Sequence, residues 1–127
     1  MSFHMRITAL AIGGLVFCAG VALGRVQDQE PELFVMMYTT GPGWDPALPP
    51  AQQPHFAQHS ANLTRLRQDG RIVMGGRFGQ WGLILVRAAD EASAQALFAA
   101  DSALVAGTFR GELQRWSTIY EGSVTRR

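Results

Sequence analysis

Ile72-Val73-Met74-Gly75-Gly76-Arg77-Phe78-Gly79-Gln80-Trp81-Gly82-Leu83-Ile84-Leu85-Val86-Arg87 is the stretch on which the fold turns. Residues 72–78 and 81–87 are rich in aliphatic and aromatic side chains, and Gly79-Gln80 supplies a two-residue connection, so the segment predicts a tight β-hairpin. Helical patterns flank it on both sides. Upstream, at 100° per residue, Phe56, His59, Leu63 and Leu66 fall within an arc of about 80°, while Arg65, Gln68 and Asp69 point elsewhere. This predicts a helix over 55–69, closed by Gly70. Downstream, residues 88–101 are alanine-rich, with Asp90 placed as an N-cap, Glu91 in the first turn, and Ala94, Leu97 and Phe98 on one face.

Working outward, Leu33-Phe34-Val35-Met36-Met37-Tyr38-Thr39-Thr40 is bounded by Pro31 and by Gly41-Pro42-Gly43, which is how a buried strand is punctuated. Residues 44–54 (WDPALPPAQQP) hold four prolines and predict a loop of the kind that shapes a pocket rim. After Gly107, residues 109–120 (FRGELQRWSTIY) predict a last strand in which Phe109, Leu113 and Ile119 alternate imperfectly with polar residues and Gly111 marks a bulge. The order β-α-β-β-α-β predicts an α+β fold of ferredoxin-like type, a four-stranded antiparallel sheet with two helices on one face. One domain over 33–122 accounts for it, with a tether over 25–32 and a tail over 123–127.

The chain has 127 residues, 11 Lys+Arg against 10 Asp+Glu, and a formal net charge of +1, so composition offers no electrostatic case for a nucleic-acid or anionic-membrane partner. Every basic residue is Arg, which removes Schiff-base chemistry and lysine nucleophiles. Residues 7–23 (ITALAIGGLVFCAGVAL) are uncharged and end in the small-x-small group Ala22-Leu23-Gly24. This predicts a leader over 1–24 and export to the periplasm or beyond; the alternative is an uncleaved inner-membrane anchor over 7–23. Cys18, the single cysteine, lies inside the leader, so a cleaved product has no thiol for disulfides, thiolate catalysis or metal. Phe17 before it does not fit a lipoprotein box. Cleavage after Gly24 leaves 127 − 24 = 103 residues with 10 Arg and 10 acids. A neutral one-sheet domain of that size covers its open sheet face by pairing, which predicts a homodimer.

His55 and His59 are the imidazoles left for acid/base chemistry. His59 sits mid-helix on the apolar face, where a desolvated ring needs a partner, whereas His55 begins the helix and is wetter. The alternative for His59 is a satisfied core histidine. Their four-residue spacing suits two metal ligands, yet nothing completes a set, so no metal site is expected. A haem reading would require one of them as axial ligand, and no cofactor is expected. Gly75-Gly76 is too short for a phosphate-binding loop. Trp81, Trp116, Phe78 and Tyr120 line either a pocket or the core.

With those residues in view, His59-Ser60-Ala61-Asn62-Leu63, followed by Gly70, Gly76 and then Asp101-Ser102-Ala103-Leu104-Val105-Ala106-Gly107, resembles the YciI-like (YCII-related) family over about residues 33–121. The resemblance implies a dimeric α/β barrel and an active site built on the family histidine and aspartate, here His59 and Asp101, beside which His55, Gly76 and Trp81 are this sequence's own substrate-binding candidates. It further implies elimination or isomerisation of a small organic molecule, since the family includes a dehydrochlorinase acting on a chlorinated hydroxyquinol. A carboxylate that accepts one imidazole N–H fixes the tautomer and leaves the other nitrogen to move a substrate proton. The alternatives are that Asp101 is a cap or turn residue and that the whole is a non-catalytic ligand-binding module. Ser102 stands where the family has proline, and an export leader is unusual for it.

Overall fold

The computed structural model describes residues 30–126, and the leader lies outside them. Eight elements follow in chain order: strand β1 (Glu32–Thr40), a 3-10 turn (Pro50–Gln52), helix α1 (Phe56–Gln68), strands β2 (Ile72–Phe78) and β3 (Trp81–Ala88), helices α2 (Glu91–Ala99) and α3 (Ser102–Val105), and strand β4 (Phe109–Arg115). The strands form one sheet in the order β2-β3-β1-β4, with every neighbouring pair antiparallel. The class is therefore α+β, as expected from the alternation of strand and helix signals. Among the described residues no helix is long and apolar enough to cross a membrane.

Period-two alternation along β1 decides which side chains meet the helices. Phe34, Met36 and Tyr38 face one way, and their cross-strand partners Val86 and Ile84 on β3 and Leu113 on β4 face with them. Leu66 from α1 and Ala94 and Phe98 from α2 pack onto this row to complete the buried cluster. The opposite face carries Val35, Met37, Leu83 and Leu85 from the two central strands and Met74, Phe78 and Trp81 from the β2-β3 hairpin. Met74, Phe78 and Trp81 are exposed, and Phe78 and Trp81 stack with their rings 9° apart.

The helix ends follow local chemistry. Asp90 caps α2 by accepting the Ser93 N–H at 2.7 Å. Hydrogen bonds from the Ser93 side chain and backbone hold its carboxyl below the usual range. Gly70 ends α1 at φ +69°, and the Arg71 N–H reaches back to the Leu66 carbonyl at 2.9 Å.

Three expectations change. The last strand stops at Arg115 rather than Tyr120, because Phe34 pairs with Arg115 and the Trp116 N–H then caps the Leu33 carbonyl, leaving β1 nothing further to pair. The second helix is shorter than 88–101, and a separate single turn, α3, starts at Ser102. Gly111 is not bulged: it pairs in register with Tyr38, and the irregularity lies in β2 between Ile72 and Met74. Gly111 is there because a Cβ would meet Met36 Sδ at 2.8 Å and Leu104 Cδ2 at 3.0 Å, so α3 can lie close over the strand.

Phe34 is fully buried at the centre of the sheet, and Phe34→Ala is expected to cost about 3–5 kcal/mol, measured by urea unfolding. Because the Asp90 carboxyl is held down in the folded state, its contribution is present above the unfolded carboxylate pKa and lost as pH falls through the folded value. Asp90→Ala should therefore lower Tm at neutral pH, with the gap to wild type closing in acid.

Candidate functional site

The site is assembled where α1 begins, where α3 begins and where β1 ends. His55 occupies the N-cap of α1 in the left-handed region at φ 64°, and its carbonyl accepts the His59 N–H at 3.0 Å, starting the helix so that His59 projects inward one turn later. Thr108 Oγ1 donates to the Pro54 carbonyl at 2.8 Å and thereby ties the start of α1 to the segment entering β4. The Gly41 and Gly43 N–H groups donate to the Thr108 and Gly107 carbonyls at 2.9 and 2.8 Å. A Cβ on Gly41 would stand 2.1 Å from the Gly107 oxygen, so only glycine allows this backbone approach.

Asp101 is completely buried, and both of its oxygens are engaged. Oδ1 accepts the Ala103 N–H at 3.1 Å and caps α3, while Oδ2 lies 2.6 Å from His59 Nδ1. A carboxylate removed from water needs such partners, since an unpaired one would cost several kcal/mol. With Nδ1–H donating to Asp101, Nε2 is the nitrogen left for other work. Aromatic rings fix the imidazole plane: Tyr38 meets it edge-on at 5.1 Å and Phe109 lies 4.9 Å away. The Tyr38 hydroxyl is buried without a hydrogen-bond partner. Burial, reinforced by the negative charge of Asp101, pushes this phenol far above its ordinary range.

His59 lines a cavity of about 510 Å³ walled by Tyr38, Trp44, Phe56 and Phe109, with Arg77 also along it. A second hollow of about 410 Å³ shares Phe56, His59, Leu63 and Ile84 and reaches Arg67. The first is of the size and character of small-molecule sites, apolar walls with a few polar groups. The cavity exists because the cross-strand row at this level runs Arg77, Gly82, Tyr38, and Gly82 contributes no side chain to the floor.

Of the residues singled out in the sequence, His59 and Asp101 meet, 42 positions apart, and Gly76 lies along the larger cavity. His55 is exposed and does not line it. Trp81 is on the far face of the sheet against Phe78. Among the described residues no group of three or more His, Cys, Asp or Glu is placed to hold a metal ion. The cavity aromatics Tyr38, Trp44, Phe56 and Phe109, and the cation Arg77, were not singled out as binding residues. Three of them carry a signal in the sequence: Tyr38 is a phenol on the inward phase of a buried strand, Phe56 shares the apolar arc of His59, and Trp44 opens the proline-rich loop. Asn62 is also buried in α1, donating to the Leu97 carbonyl at 3.4 Å and accepting from Arg65 Nη2 at 2.9 Å.

Asp101→Ala removes a helix cap and orphans a buried imidazole N–H, and is expected to cost about 2–4 kcal/mol in chemical unfolding. For Tyr38, the raised folded pKa means that its contribution is complete below the ordinary phenol range and is lost as pH climbs toward the folded value. A Tyr120→Phe variant, in which Tyr38 is the remaining tyrosine, should show no tyrosinate absorbance until the alkaline pH at which the domain unfolds. Tyr38→Phe should move that unfolding to higher pH. Comparison of the chain with protein-family models, with curated proteins and with solved structures finds no match to any of them.

Proposed function

We propose that the chain is an exported YciI-like protein, a small-molecule lyase or isomerase in which His59 is the general acid/base and Asp101 orients it. The observation that carries this reading is the buried 2.6 Å contact between His59 Nδ1 and Asp101 Oδ2, made by an imidazole that also lines an apolar cavity. In the proposed reaction, Nε2 removes a proton from a carbon next to an electron-withdrawing group. The C–H electron pair becomes a double bond as a leaving group departs with its electrons, or the proton is returned to a neighbouring carbon. Asp101 holds the tautomer and stabilises the imidazolium formed. Aromatic walls exclude water and keep the transferred proton between imidazole and substrate.

The ferredoxin-like arrangement and a face-to-face dimer belong to the same proposal. The strand order β2-β3-β1-β4 with antiparallel neighbours supports the former. Support for the dimer comes from the sheet face opposite the helices, where Met74, Phe78 and Trp81 stand exposed beside Met37 and Leu83. Sedimentation should give twice the mass of one chain, and Phe78→Asp should give a monomer; a monomeric wild type at micromolar concentration overturns the dimer.

Turnover of a panel of small organic acids, halides and unsaturated carbonyl compounds tests the chemistry. His59→Gln should lower kcat by about 10²–10⁴-fold. Asp101→Asn should do likewise, because asparagine can still cap α3 but offers an amide that does not stabilise imidazolium. Both variants should keep the wild-type circular dichroism. If they unfold while wild type turns nothing over, the pair is structural and the domain is a ligand-binding module.

A further inference from the structure

Both hollows beside His59 lack acidic lining residues, and each contains an arginine, Arg77 in the larger and Arg67 in the smaller. Arg77 takes part in none of the ion pairs among the described residues, which join His59 to Asp101, Arg65 to Asp69 and Arg115 to Glu32. It stands in the same cross-strand row as Tyr38, separated from it by Gly82, whose missing side chain keeps the floor between them open. A Cβ at Gly82 would have ordinary contacts, 3.6 Å to Tyr38 Cβ and 3.9 Å to Cδ2, so packing does not require glycine there. The buried carboxylate of Asp101 is spent on His59 and on the α3 cap and does not line either hollow.

We infer that the larger cavity takes a planar unsaturated or aromatic carboxylate, its flat apolar body between the Trp44, Phe56 and Phe109 rings and its carboxylate on the Arg77 guanidinium. This names the substrate class of the acid/base site proposed above and rests on that reading for its catalytic meaning, though not for the binding itself. The guanidinium presents paired N–H donors that match a carboxylate two-on-two, and the rings match the faces of a conjugated body. With the charge seated at Arg77, on β2, the body of the ligand occupies the cavity that His59 also lines. The carboxylate then withdraws electrons from the conjugated carbons on which an acid/base histidine would act.

The test compares benzoate with its uncharged isostere benzamide, titrated into the full domain by NMR and by calorimetry. Wild type should bind benzoate at least tenfold more tightly than benzamide, with the Trp44 indole N–H resonance shifting on binding. Arg77→Gln should weaken benzoate tenfold to a hundredfold, leave benzamide unchanged, and retain the wild-type Tm. Arg110→Gln, on the opposite sheet face, should change neither. Gly82→Val should weaken both ligands by narrowing the floor. Equal binding of the two ligands, absence of binding, or a benzoate preference that survives Arg77→Gln overturns the inference. His59→Gln should still bind benzoate, so failure of the acid/base reading would appear as unaffected turnover in His59→Gln, separately from any failure of carboxylate recognition.

Discussion

A carboxylate with no exposure to solvent sets the conditions that the rest of this molecule meets. Asp101 follows α2 and would be tolerated inside the fold only if each oxygen found a donor. One donor is local, the Ala103 N–H of the turn it caps. The other is the imidazole of α1, 42 residues earlier in the chain. Meeting that second requirement fixes how α1 lies relative to α3, brings His59 against Tyr38 and Phe109, and makes the start of the last strand part of the same assembly. The backbone ties from Gly41 and Gly43 to residues 108 and 107, and the side-chain bond from the Thr108 hydroxyl to the Pro54 carbonyl, hold the flanks. A structural need and a chemical opportunity thus fall on the same pair: the bond that neutralises the cost of burying the carboxylate is the one that would orient a proton-transferring imidazole.

The sheet divides its helix-facing side into two regions by residue size. Around Phe34, Met36 and Val86 it is filled by Leu66, Ala94 and Phe98. One row further along, Gly82 and Gly111 flank Tyr38, and the two glycines have different uses. Gly111 admits Leu104 of α3 close to the strand, whereas Gly82 leaves its place unfilled. The result is a cavity bounded by rings drawn from β1, the loop after it, α1 and β4. Phe109 links these walls, with ring contacts to Tyr38, Trp44, Phe56 and His59.

Much of the framework was legible because its boundaries are marked by residues with restricted backbones. Pro31 and Gly41 bracket β1, Gly79 turns the hairpin, Gly70 ends α1 and Asp90 starts α2, and these signals are local. What escaped depends on partners far along the chain. The end of β4 is set by where β1 begins, not by its own composition. Helix α3 is a single turn, too short to show a period, and exists because Asp101 caps it. In the candidate site His59 was legible because burial of a His on an apolar helix face needs an explanation, whereas Asp101 and its pairing with His59 were expected only through the family resemblance. Their 2.6 Å approach, and the convergence of Tyr38, Trp44, Phe56, Arg77 and Phe109, are products of strand register and could not be read from spacing. Trp81 shows the limit from the other side: its strand was correctly placed, and alternation then turned its ring to the far face.

The position of β1 has a further consequence for the order in which the molecule can form. The first strand of the domain lies in the middle of the sheet, between β3 and β4, and Phe34 finds its partner at Arg115, close to the other end. Such pairings close long loops before they return any contact energy, which places the domain among slower-folding topologies than helical bundles of equal size. A chain emerging from its N-terminus can assemble the β2-β3 hairpin and add β1 to it. It cannot bury the second side of β1, cap α3 or enclose the imidazole until residues beyond Asp101 have arrived. The cavity and its histidine therefore appear only with the last strand, and no form of the chain that ends before β4 would carry them.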